Sequence, residues 1–277
     1  MLFTIIANQE ITKNKKYIEQ IKTFLKNKNQ ECEVAQVYQD VFSNYLYKIP
    51  NNTNIIISLG GDGTVLQSAQ NALEFDIPII SFNTGTLGFL AEYKMKEMEN
   101  VLLKIINNDF IIEERHILEV YKDNKLLDKS LNDVVISREG FSRIVSIEAI
   151  VNNQIINKYR GDGIVISTAT GSTAYNLSLG GPILSPTCNN IIVTPIACHS
   201  LISRSIILNN DENIIINILK SRKTQEKEAI LTVDGRRNID LHNNDSIFVK
   251  QSIKKVKFIK LNSNFFDLCN KKLKDNF

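Results

Sequence analysis

Apolar and polar positions along the first third of the chain alternate between two periods. Leu2–Ala7 is a continuous apolar run, and Ile11–Lys28 then repeats Tyr17, Ile18, Ile21, Phe24 and Leu25 at helical spacing. Cys32–Val37 suits a short strand and Ile55–Leu59 a buried one. After Gly60–Thr64 the spacing of Val65, Leu66, Ala69 and Ala72 predicts a helix to about Leu73. Pro78–Phe82 reads as another strand and Met95–Ile106 as another helix. This rhythm predicts an α/β domain whose mostly parallel sheet carries helices on both faces, with ligands outside the C-terminal strand ends. The loops Gly60–Thr64 and Asn83–Gly88 both follow strands, so both can open on the same crevice.

Beyond about residue 110 the pattern changes to short strand-like runs separated by Asn, Asp and Gly turns. The runs are Ile111–Tyr121, Asp133–Ser137, Ile144–Val151, Ile155–Tyr159, Ile164–Ser167, Ile191–Thr194, Ile214–Leu219, Ala229–Val233 and Ser246–Lys250. They predict a β-rich second domain. Gly171–Gly180 interrupts them as a loop entering a short helix. Lys254–Leu273 is strand-plus-helix in character. The expected organisation is therefore an α+β two-domain chain: an α/β domain over 1–100, a β-rich domain over 101–253, and a tail, 254–277, returning to the first domain.

Composition narrows the function classes. The 33 basic and 30 acidic residues give a net charge of only +3, which supplies no electrostatic reason to expect nucleic acid as partner. Cys32, Cys188, Cys198 and Cys269 are scattered without zinc-ligand spacing, as expected of structural thiols in a reducing compartment. Met1–Ala7 lacks a basic n-region and reads as a strand, and no stretch approaches the roughly 20 apolar residues of a membrane span. A cytoplasmic protein without a membrane partner is expected.

The candidate chemistry sits in glycine-rich loops. Gly60-Gly61-Asp62-Gly63-Thr64 directly follows a buried strand and opens a helix, where glycines let backbone N–H groups approach phosphates. Neither the Walker A pattern nor GxGxxG occurs. Asp62 could accept a proton from an attacking hydroxyl, hold a divalent ion, or cap the helix that follows. A second segment, Ser167 to Tyr175, collects hydroxyls and backbone N–H groups that can bind sugar or phosphate, and Tyr175 could stack on a planar ring. The alternative there is a polar turn with a core tyrosine. Arg160-Gly161-Asp162-Gly163 looks like a hairpin turn, and Asn132-Asp133 stands before an apolar run as a strand-start cap or a ligand pair. His199 beside Cys198 is the only histidine in a motif-like setting, yet adjacent side chains rarely face each other as a Cys-His hydrolase would need.

Taken together these segments resemble the NAD kinase family, bacterial type. The resemblance runs through Gly60–Thr64, Asn83-Thr84-Gly85-Thr86-Leu87-Gly88-Phe89-Leu90, Asn132-Asp133, Arg160–Gly163, Ser167–Pro182, the Pro195–Arg204 run with His199-Ser200-Leu201, and Thr232-Val233-Asp234-Gly235-Arg236. Gly60–Thr64 alone is shared with lipid kinases and phosphofructokinases, whereas the Thr170–Tyr175 loop is far more selective. The resemblance implies a phosphofructokinase-like first domain and transfer of the γ-phosphate of ATP to the 2′-hydroxyl of the adenosine ribose of NAD, in an interdomain cleft. It implies Asp62 as the catalytic residue and Gly60, Gly61, Gly63 and Thr64 at the ATP phosphates. It further implies Phe89, Asn132, Asp133, Asp162, Thr170, Thr173, Ala174, Tyr175 and Ser178 at NAD. Mg2+ or Mn2+ would travel mainly with ATP rather than on protein ligands, polyphosphate could replace ATP, and the assembly would be a homodimer or homotetramer. The chain departs from the family pattern at Asp133, where Glu is frequent, and at Ala169, Cys198 and Ser205, where proline is frequent. The rival readings are a lipid kinase, which would need a large apolar pocket, and a non-enzymatic nucleotide sensor.

Overall fold

The computed structural model describes residues 1–7, 12–39, 45–85, 88–139, 144–199, 203–220, 227–261 and 265–274. Thr86, Leu87, Ser200 and Leu201 of the quoted motifs lie outside the described residues. The architecture is α+β in two units, an N-terminal sheet unit and a β-rich unit. The first comprises Met1–Arg115 together with Val256–Phe277, and the second His116–Lys255.

In the first unit, strands Leu2–Ala7, Ile55–Gly60 and Ile79–Asn83 lie side by side, with Glu31–Val34 beyond Leu2–Ala7, all in parallel register. Phe258, near the end of the long strand Ser246–Lys260, pairs in parallel with Ile79. Runs of isoleucine buried on both faces are what a parallel sheet covered by helices demands. One face carries Phe3, Ile5, Ile55, Ile57, Leu59, Ile80 and Phe82 against Ile18, Ile21 and Leu25 of helix Thr12–Asn27 and Val101, Leu102 and Ile105 of helix Met98–Ile106. Side chains alternate across a strand, so the intervening positions form the other face. Helix Asp62–Phe75 packs on strands Ile55–Gly60 and Ile79–Asn83. One expected strand is divided, and the strand-plus-helix character of the C-terminal segment is as expected. Cys32–Val37 is replaced by two strands, Glu31–Val34 and Gln36–Gln39, the latter forming a small antiparallel hairpin with Tyr45–Lys48. The C-terminal segment ends in helix Phe265–Lys274.

The second unit is built on antiparallel strand pairs. One sheet runs in the order Ile206–Asn209, Asn190–Ile196, Gly163–Thr168, Asp133–Ser137, Lys227–Val233, Arg237–His242. The other joins Gln154–Gly161, Val145–Val151, Ile214–Leu219 and the first part of Ser246–Lys260, which also pairs with Ile111–Lys122, itself paired to Lys125–Ser130. Inward residues of both sheets, among them Val134, Ile136, Ile147, Ile164, Ile166, Ile216, Leu231 and Val249, form a single core. Arg160–Gly163 does not form the expected hairpin. Gln154–Gly161 and Gly163–Thr168 belong to different sheets, and the chain passes between them at Asp162. Glycine is required on both sides of that passage. A Cβ at Gly161 would lie 2.7 Å from Cys198 Cα, and Gly163 has φ +153° with the Ile136 carbonyl against it. No helix among the described residues is long and apolar enough to cross a membrane.

Candidate active site

Asp62 is the first residue of its helix, not the cap. Gly61 occupies the cap position without a side chain to offer, and the Asp62 carboxylate reaches instead to the following loop. Its Oδ2 accepts the Phe89 N–H at 2.9 Å, and its Oδ1 accepts those of Leu90 and Ala91 at 3.0 Å each. The two glycine loops thus meet through one carboxylate. Gly88 makes the approach possible, because a Cβ there would run into Asp62 Oδ1. Asn83 and Ser81 fix the same loop: Ser81 Oγ donates to the Leu90 carbonyl at 2.7 Å and Asn83 Oδ1 accepts the Gly85 N–H at 2.7 Å. Gly60 is a packing glycine, its Cβ direction filled by Thr64. Gly61 and Gly63 are exposed with open space where a Cβ would stand, so no described residue demands glycine there. Phe89 is half-buried, with Lys272 Nζ 4.5 Å above its ring.

The second unit gathers Thr170–Tyr175 at Asn132-Asp133, whereas Asp162 stands at the other end of the strand pairing, where Ser137 is opposite Gly163 while Asp133 is opposite Ser167. Every backbone group of the Asn132-Asp133 turn has a partner. Asp234 Oδ1 accepts the N–H groups of Asn132 at 2.8 Å and Asp133 at 3.2 Å, and Asp234 Oδ2 that of Leu131 at 2.9 Å. Thr168 binds the carbonyls, through Oγ1 to Leu131 at 2.6 Å and through its N–H to Asn132 at 2.9 Å. The Asn132 side-chain amide has no partner among the described residues. Asp133 is buried, with the Tyr175 N–H directed at its carboxyl. Burial foremost, and the Asp234 carboxylate next, push Asp133 up to about 7, against the pull of that N–H.

Thr170–Thr173 forms a 3-10 turn and Tyr175–Ser178 a single helical turn. Gly171 lies against the Asn132 carbonyl where no Cβ fits, and its N–H donates to Thr168 Oγ1 at 3.0 Å. Thr170 is buried, Thr173 and Ala174 half-buried, and Ser178 exposed. Tyr175 is 43% exposed, which removes the core-tyrosine reading. Asp162 is held by a two-pronged ion pair, Arg138 Nε to Oδ1 at 2.6 Å and Nη2 to Oδ2 at 3.3 Å. Cys198 is half-buried, its thiol pushed up by burial, while His199 is exposed.

The family models for the ATP-NAD kinase N-terminal domain and the ATP-NAD kinase C-terminal domain match residues 3–110 and 131–261. The NAD kinase of Lachnoclostridium phytofermentans is 42% identical over 99% of both chains, and that of Ruminiclostridium cellulolyticum 36% identical over 97% of this chain and 96% of its own. The chain belongs to the NAD kinase family. Among solved structures, the yeast NADH kinase complexed with NADH superposes with a TM-score of 0.81 at 25% identity, covering 95% of this chain and 84% of the yeast chain. An NAD kinase from Archaeoglobus fulgidus, solved with ATP, shares the fold at 22% identity, with a TM-score of 0.76 over 98% of this chain and 97% of its own.

Several residues that organise the site in this NAD kinase family member have no individual role in the motif reading, although Thr168 and Asn176 lie within Ser167–Pro182. Asn176 is fully buried; its Nδ2 donates to the Ser172 and Pro182 carbonyls, and its Oδ1 accepts from Thr194 Oγ1 at 2.7 Å. Arg138 and Thr168 are similar cases. The partners of Arg138 and Thr168 lie 24 and 37 positions away, and strand pairing brings them together. Asp234 belongs to the Thr232-Val233-Asp234-Gly235-Arg236 motif, whose pattern alone carries no role for it.

Proposed function

We propose that the protein is an NAD kinase that transfers the γ-phosphate of ATP to the 2′-hydroxyl of the adenosine ribose of NAD, giving NADP and ADP. Family membership over nearly the whole chain carries this reading, and the setting of Asp62 supports it. The first unit is assigned the donor phosphates, at Gly60, Gly61, Gly63 and Thr64, together with Asp62. The second is assigned NAD, through Asn132, Asp133, Asp162, Thr170, Thr173, Ala174, Tyr175 and Ser178. Phe89 is read as an adenine-side contact, and the assembly as a homodimer or homotetramer.

An ionised carboxylate offers about four lone-pair directions. Three on Asp62 are taken by backbone N–H groups, which leaves Oδ2 able to accept one further hydrogen bond. An acceptor hydroxyl placed there is aligned for in-line attack, and its proton passes to Oδ2. Phosphoryl transfer has a loose transition state with little bonding to the nucleophile, so the proton leaves late and Asp62 mainly orients. Open glycines at 61 and 63 leave the first helical N–H groups approachable by phosphate oxygens.

Among the described residues no group of three or more His, Cys, Asp or Glu side chains could hold a metal ion. The three N–H groups on the Asp62 carboxylate occupy most of its acceptor directions. Mg2+ or Mn2+ is assigned to the ATP phosphates, and no step above depends on a protein-bound ion.

The test is incubation with ATP and Mg2+ against separate pools of NAD, NADH and diacylglycerol, with phosphorus NMR of the product. A 2′-phosphate on NAD or NADH is expected. A 3′-phosphate, or faster phosphorylation of the lipid, overturns the reading.

A further inference from the structure

Asp234 lies in the tight turn between strands Lys227–Val233 and Arg237–His242, closed by the Arg236 N–H donating to the Val233 carbonyl at 2.9 Å. Its φ is +46° and that of Gly235 +67°. Asp-Gly is a favoured pair for such turns, which would account for both residues without any further role. The turn does not account for what the Asp234 side chain does. Its carboxylate is 1% exposed and points away from its own hairpin, onto residues about a hundred positions earlier.

There it accepts four hydrogen bonds. They come from Ser130 Oγ at 2.5 Å and from the N–H groups of Leu131, Asn132 and Asp133. The Asp234 N–H returns a bond to the Asp133 carbonyl at 3.0 Å. Arg236 closes the far side, its Nη2 3.4 Å from Asp234 Oδ2 and 3.1 Å from the Lys129 carbonyl. Three successive N–H groups converging on one carboxylate determine the path of residues 131–133. With Thr168 holding the carbonyls, the only groups of this turn left to meet a ligand are side chains.

We infer that Asp234 is a positioning residue for the acceptor substrate: its carboxylate sets the backbone of Leu131–Asp133 so that the side chains of Asn132 and Asp133 meet the ribose of NAD. This rests on the NAD kinase reading above. Asp234 itself touches no substrate. Its effect is confined to the acceptor side, because each of its bonds ends on residues 130–133 or on Arg236.

The test is steady-state kinetics of the full chain, varying NAD and ATP separately. In Asp234→Asn the amide keeps one oxygen and turns an N–H toward donors. Loss of hydrogen bonds to a charged acceptor is expected to raise the KM for NAD on the order of 10- to 100-fold. The KM for ATP should stay within about twofold, and kcat at saturating NAD should change far less than the KM for NAD. If Asp234→Asn does not fold, Ser130→Ala removes one bond and leaves the rest, with a rise of about three- to tenfold in the NAD KM alone. An unchanged NAD KM in either folded variant overturns the inference while leaving the activity intact. Equal rises for both substrates overturn it too, since they mark a general structural role. A wild-type chain that forms no NADP removes the function and the inference together.

Discussion

Asp62 holds a loop and, in the proposed reaction, orients a hydroxyl, so replacing it should produce two effects of very different size. Asp62→Asn turns an N–H toward the Phe89 N–H, or toward those of Leu90 and Ala91, at a cost of roughly 1–3 kcal/mol in stability. Turnover should fall far more, by ~10²–10⁴, with NAD binding largely kept. A kcat within threefold of wild type in the folded variant would refute the assignment. Asp133 provides a separate test through pH. The charged and polar groups facing it are the Asp234 carboxylate, backed by Arg236, and the Tyr175 N–H. With a folded pKa of about 7 against an unfolded value near 3.9, the folded chain holds the extra proton. Stability contributed by this proton is present below about pH 4 and is lost as pH rises towards 7. Asp133→Asn should flatten that part of the melting-temperature profile, and an unaltered slope would place its origin elsewhere.

At the scale of elements, the glycines around Asp62 divide into two kinds that respond differently to alanine. Gly88→Ala should displace the Asp62 carboxylate and cut kcat with little change in the KM for either substrate, since its Cβ has no room beside Oδ1. Gly63→Ala, inside a helix and facing open space, should raise stability by up to ~1 kcal/mol. The same change should weaken ATP binding if phosphate oxygens approach there. Melting curves and the KM for ATP, measured on both variants, separate the two. The same distinction between inner and outer positions decided what the sequence revealed. Strands Asp133–Ser137 and Ile214–Leu219 were legible to the residue because their apolar positions are those of central, buried strands. Lys125–Ser130, Ile206–Asn209 and Arg237–His242 went unread. Each is short and lies at the end of its sheet's pairing order, and two carry the charges and polar residues that edges use against aggregation. In the candidate site the glycine loops were legible as local patterns. The links from Asp234 to residues 130–133 and from Arg138 to Asp162 were not, because hydrogen bonds across 24 to 104 positions leave no spacing to read.

For the molecule as a whole, a charge cluster joins the two sequence segments of the first unit. Lys260, 8% exposed, pairs with Glu92, and its Nζ lies 3.5 Å from Glu113; Arg115 pairs with Glu113 at 2.5 Å and reaches Glu92 at 4.0 Å. Burial opposes the charge on Glu113, but Arg115 and Lys260 outweigh it and hold this carboxyl below its ordinary value. Glu92 follows directly on Ala91, whose N–H holds Asp62, so the cluster also anchors the loop behind the catalytic candidate. Lys260→Met leaves two half-buried acids short of a cation and should lower stability by about 1–3 kcal/mol in denaturant titration. A loss below 1 kcal/mol would show that Arg115 alone neutralises them. Lys260 lies on the far side of the second unit in sequence, and this has a consequence for synthesis. At roughly 5–20 residues per second, a ribosome needs on the order of 7–30 s to translate His116–Lys255, an interval in which the first unit waits for its last strand. Until then strand Ile79–Asn83 lacks its partner at Phe258, and Glu92 lacks its lysine. The half that carries Asp62 is begun first and finished last, and a nascent chain stalled within that interval would present an unclosed apolar sheet edge to its surroundings.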